Sequence, residues 1–142
     1  MVRSLATALI LVIGLTTPSW AVDRGTGDTL ADAQELVANE NWTAALAVLK
    51  RVVAASPEDP DALNLLAYTL RHTGDIRNAE GFYLKALAIE PEHIGANEYL
   101  GELYVGSGEL DKALERLVVL EAACSADCEE YLELKALIEA TD

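Results

Sequence analysis

Positive charge is scarce in this chain. Ten Lys and Arg face 24 Asp and Glu, so the 142 residues carry a formal charge of −14. That imbalance argues against nucleic-acid binding, which rests on Lys and Arg neutralising phosphates. It argues equally against docking on anionic lipid. Histidine is just as sparse. His72 and His93 stand 21 positions apart, in no pair or cluster spacing, and each reads as a solvated turn residue. Cysteine occurs twice, at Cys124 and Cys128, without the Cys-x-x-Cys spacing of a thioredoxin-like site and with no following His to suggest haem attachment. Gly106-Ser107-Gly108 lacks the Lys of a phosphate cradle and reads as a turn. No catalytic residue, cofactor or metal site is expected. Apolar residues, by contrast, make up 51% of the chain, enough for a core, which excludes intrinsic disorder.

The first residues read as an address. Arg3 precedes an apolar run from Leu5 to Leu15, interrupted only by Thr7 and Gly14. Thr16, Thr17 and Pro18 follow, then Ser19-Trp20-Ala21 with small residues at its first and third positions. This is the layout of a secretory signal peptide over residues 1–21, cleaved between Ala21 and Val22. The run is too short for a membrane span, which needs roughly 20 apolar residues. The expectation is an exported protein with no membrane insertion after cleavage, periplasmic if the source is Gram-negative. Residues 22–25 form a short linker. Export makes the two cysteines competent to form a disulfide.

Beyond residue 25 a period of 34 emerges. Ala45, Ala79 and Ala113 share it, as do Leu49, Tyr83 and Leu117, Trp42, Ile76 and Leu110, and the small residues Ala33, Ala67 and Gly101. Pro57 and Pro91 keep the same step. The repeats are 26–59, 60–93 and 94–127, each reading as helix, tight turn, helix. In the second, Asp59 caps and Pro60 takes the first helical position, where its missing N–H costs nothing. Leu63, Leu66, Ala67 and Leu70 then recur on one face. Gly74 closes that helix and Asp75 caps the next. One such pair cannot bury both of its faces, whereas stacked neighbours can. Residues 128–142 read as a capping helix with an apolar stripe of Tyr131, Leu134, Leu137 and Ile138.

The middle repeat, Leu63…Leu66-Ala67…Leu70…Gly74-Asp75…Ala79…Tyr83…Ala86…Pro91, resembles the tetratricopeptide repeat family. The third repeat matches through Leu100-Gly101…Tyr104…Gly108-Glu109…Ala113…Leu117, and the first mainly through its second helix. The resemblance implies an all-α, right-handed solenoid of three helix-turn-helix repeats plus the C-terminal cap. Thr29 and Asp32 stand where the family prefers a large aromatic and a Leu, so the first helix is expected to pack weakly or fray. Asn97 replaces an aromatic in the third repeat, Leu120 a small residue, and Ser125 the closing proline.

The resemblance also implies a function. The inner face, built from the first helix of each repeat, binds extended peptides or partner helices in this family. On helical spacing Asp61, Asn64, Tyr68 and Arg71 share that face in the second repeat. Glu98, Glu102 and Val105 occupy the same offsets in the third, and Leu30 and Gln34 in the first. Some relatives grip the C-terminal carboxylate of cytosolic heat-shock chaperones with Lys, Asn and Arg. Leu30, Gln34, Leu65, Gly95 and Tyr99 stand at those offsets here, so that clamp is absent. The acidic third-repeat end suits a protein or peptide partner with basic residues, and Tyr68 and Tyr99 offer aromatic anchors. Self-association through the weak first helix is a further expectation. Cys124 and Cys128 are expected to form a disulfide stapling the last repeat to its cap. The alternative reading is a redox or metal-handling accessory that uses that pair.

Overall fold

The computed structural model describes residues 28–141, so the expected signal peptide, the linker and the start of the first repeat lie outside the described residues. Among the described residues seven helices follow one another: α1 (Leu30–Ala38), α2 (Trp42–Ala55), α3 (Pro60–His72), α4 (Ile76–Ile89), α5 (Ile94–Gly106), α6 (Leu110–Cys124) and α7 (Glu129–Glu139). No helix among the described residues is long and apolar enough to cross a membrane.

Helix starts are fixed by side chains that accept from the first free backbone N–H groups. Asn41, Asp59, Asp75 and His93 do so for α2 to α5. At α1, Thr29 and Asp32 form a reciprocal capping box. The two residues expected to weaken this helix therefore secure its first turn. The turns within the repeats need one residue in the left-handed region, and glycine supplies it at Gly74 (φ 86°) and Gly108 (φ 76°). The first repeat places Glu40 at the same step with φ 54°.

Packing runs between neighbours in sequence and between alternate odd helices: α1 with α3, α3 with α5, α5 with α7. The even helices make no matching contact among the described residues. Odd helices drawn together and even ones splayed apart give a curved α-solenoid whose inner face belongs to α1, α3, α5 and α7. The alanine columns expected from the period, Ala45, Ala79 and Ala113, are fully buried between helices, as are Ala33 and Ala67. At Gly101 a Cβ would stand 2.4 Å from Leu134 Cδ2, so the missing side chain lets α7 close on α5. Tyr131, Leu134 and Ile138 bury the cap, while Leu137, expected in that stripe, is exposed. Among the first helices α1 buries only Ala33, in keeping with the weak packing expected of it.

Candidate ligand groove

Between α3 and α5 the inner face is a ladder of paired groups. At its first rung His93, expected in solvent, is 9% exposed. Its Nδ1 accepts the Ala96 N–H at 3.1 Å, capping α5. The other ring nitrogen therefore carries the hydrogen and donates to Asp61 Oδ1 at 3.1 Å. These two bonds join the starts of α5 and α3. The next rung is a close approach without a hydrogen bond across it. Gly95 faces Asn64, whose Nδ2 lies 3.1 Å from where a Cβ would stand. The Oδ1 of Asn64 is buried without a hydrogen-bond partner among the described residues.

Aromatic rings form the third rung. Tyr68 and Tyr99 pack at 4.8 Å between centroids. His72, exposed as expected, is nonetheless stacked on Trp42 at 4.3 Å and touches Tyr68 at 4.4 Å. Burial against these rings, then the Arg71 charge, lowers the His72 pKa below its ordinary value. Above them Arg71 Nη1 meets Glu102 Oε2 at 2.7 Å, with its guanidinium 5.6 and 5.7 Å from the centroids of Tyr68 and Tyr99.

The end between α5 and α7 differs. Glu98, expected to line the open groove, is 4% exposed, because α7 lies over it; Val105 is buried too. Single oxygens of Glu98, Glu102 and Glu133 lie within 4.8 Å of one another. Burial, a shared hydrogen bond with Glu133 and the charges of Glu102, Glu133 and Glu130 push the Glu98 carboxyl up to about 8. Tyr99 is raised to about 12, by burial first and then by Glu98. Tyr83 is fully buried, and its hydroxyl has no hydrogen-bond partner among the described residues.

Of the seven groove residues expected from sequence, Asp61, Asn64, Tyr68, Arg71 and Glu102 lie on this ladder. Glu98 lies beneath its end. Gln34 is exposed on α1, and no hydrogen bond or ion pair joins it to the others among the described residues. Helical spacing missed Glu133 and the joining role of His93, since both depend on which neighbouring helix covers them. At the far end Cys124 and Cys128 are disulfide-bonded, with a Cα separation of 5.8 Å, linking the end of α6 to the start of α7.

Helix pairs stacked at a 34-residue period, with their first helices lining one curved face, define the tetratricopeptide-repeat class of α-solenoid. Two tetratricopeptide repeat family models match, over residues 30–94 and 70–138, and the chain belongs to that family. It is 30% identical over 97 residues to the TPR repeat-containing thioredoxin TTL4 of Arabidopsis thaliana, a stretch that is 68% of this chain and 14% of that protein. Among solved structures, the MamA fragment 41-end from Desulfovibrio magneticus RS-1 is similar at TM-score 0.62 and 28% identity, covering 69% of this chain and 56% of that one. The type III secretion translocator chaperone SycD of Yersinia enterocolitica shares the fold at TM-score 0.68 and 17% identity, over 78% of this chain and 86% of that one. The chain thus spans a small part of TTL4 and about half of the MamA chain.

Proposed function

We propose that this protein is a non-catalytic interaction module that holds an extended segment of a partner protein along the α3–α5 face. The observation that carries this reading is the unpaired amide of Asn64 beside Gly95. A buried amide oxygen, Asn64 Oδ1, has no partner among the described residues, and the partly exposed rings of Tyr68 and Tyr99 continue the same face. A buried acceptor left unpaired costs free energy that a backbone N–H of an added chain recovers. The rings offer area with little side-chain entropy to lose, as interface anchors do. Membership of a family built from stacked helical repeats supports the reading. So does the structural similarity to a translocator chaperone, for the fold alone.

The test is capture of partner proteins by the oxidised chain beside Asn64→Ala and Tyr68→Ala variants, with bound peptides mapped by cross-linking. Loss of the captured protein in both variants supports the groove; equal capture moves the binding surface elsewhere. Unchanged capture by a Cys124→Ser/Cys128→Ser variant would dispose of the redox or metal-handling reading of the cysteines. Export belongs to the same proposal, and a mature N-terminus at Val22 is its expected readout. Light scattering that reports a monomer removes self-association.

A further inference from the structure

His93 joins two helices in only one of its protonation states. Its carbonyl accepts from the backbone N–H and the Nδ2 of Asn97, which closes the first turn of α5. Its ring does the rest, with Nδ1 accepting the Ala96 N–H and Nε2 donating to Asp61. The starts of α2, α3 and α4 are capped by oxygens, of Asn41, Asp59 and Asp75, whereas α5 depends on a ring nitrogen. That nitrogen accepts through the lone pair that a second ring proton takes. The ring also borders an open cavity of about 420 Å³, lined by Asp61, Glu90, Glu92, Ile94, Gly95 and Ala123.

We propose that His93 is an acid-sensitive latch: protonation of its ring releases the start of α5 and passes the imidazolium to the carboxylates of the cavity. The latch is independent of what the inner face binds. A doubly protonated ring cannot accept, so the Ala96 N–H loses its partner. A positive ring at the first turn of α5 also opposes the helix dipole, which disfavours cations at an N-terminus. Asp61 of α3 has a side chain 73% exposed, and Glu90 and Glu92 of the α4–α5 turn line the same space, so the charged ring finds partners away from the cap. On the remaining side α6 presents Ala123, while its Arg116 lies behind Asn97, donating to Oδ1 at 3.3 Å.

The release is local. Asn97 Nδ2 still holds the Pro91 and His93 carbonyls, each at 3.0 Å, and neither bond involves the imidazole. What loosens is the first turn of α5, and Gly95 lies in it, against Asn64. Acidification therefore acts on the α3–α5 approach and leaves the turn before it closed.

The test follows the isotope-labelled full chain by NMR from about pH 8 to about pH 5, the span in which histidine changes charge. Ring nitrogen spectra report the tautomer and the second proton of His93, and hydrogen exchange corrected for its intrinsic pH dependence reports the Ala96 amide. The neutral ring is expected to carry its hydrogen on Nε2. As the second proton arrives, protection of Ala96 is expected to fall roughly fivefold, the worth of a cap. His93→Asn supplies a capping oxygen in place of the ring, so its Ala96 protection stays constant with pH. Asp61→Asn leaves the cap and removes a partner of the imidazolium, so ring protonation and loss of protection both move to lower pH. A neutral ring with its hydrogen on Nδ1 overturns the latch. So does a ring that stays neutral across the span, or one that gains its proton while Ala96 stays protected. The same Ala96 transition in His93→Asn also overturns it, and assigns the transition to the carboxylates.

Discussion

The two ends of the solenoid are closed by different physics. At the start, α1 buries Ala33 and is held by hydrogen bonds at its own first turn. At the finish, α7 buries Tyr131, Leu134 and Ile138, fits the space left by Gly101, and is bonded to α6 through Cys124–Cys128. Terminal repeats lack a neighbour on one side, so each must replace a missing interface. Local capping does so only shallowly, because a cap fixes one turn and buries little. Side-chain insertion and a covalent staple fix a whole helix in place.

The largest break in that comparison comes from Leu134→Ala. Leu134 is fully buried in the α5–α7 contact, and truncation is expected to cost roughly 2–5 kcal/mol, seen as a lowered Tm and lost amide protection throughout α7. Reducing the disulfide comes next. The short loop it closes is worth about 2 kcal/mol in the chain-entropy account, and denaturant titration with and without reductant measures it. Thr29→Ala removes the cap of α1 at about 1 kcal/mol, with faster hydrogen exchange confined to residues 30–38. The smallest effect has the opposite sign. Glu40→Gly relieves a left-handed residue at the step where the other repeats carry glycine, and is expected to stabilise by less than about 1 kcal/mol.

A pH profile separates the ends further. Glu98 holds its proton to about 8 when folded, against an ordinary value of 4.5, so the folded chain binds a proton that the unfolded chain has released. Stability from this group is lost as pH rises from about 4.5 towards about 8. Glu98→Gln has no such loss, and its Tm advantage over the natural chain should widen across that window. The α1 end contains no group of this kind among the described residues: the Asp32 carboxyl is held below its ordinary value by its Thr29 hydrogen bonds.

The solenoid was legible in the sequence because each small-residue column marks a place where helices touch, and 34-residue spacing repeats the contact. The caps at Asp59 and Asp75 were legible for the same local reason. Thr29-x-x-Asp32 was a readable capping signal as well, but comparison with the family's usual packing residues obscured it. What periodicity does not carry is which side of a helix a later element will cover. Glu98 has the offset of an open groove residue, and only the approach of α7, much later in the chain, places it in a low-dielectric site. His93 likewise gains its Asp61 partner from a helix whose adjacency depends on the stacking itself.

The two joints between repeats are braced in different materials. Between the second and third repeats, Asp61–His93 and Arg71–Glu102 cross from helix to helix. Between the first and second, the Trp42–His72 stack does so. Dissolved salt screens partly exposed charges and leaves stacked rings nearly untouched. Ionic strength thus acts as a selective softener: it loosens the bend of one half of the arc and leaves the stiffness of the other.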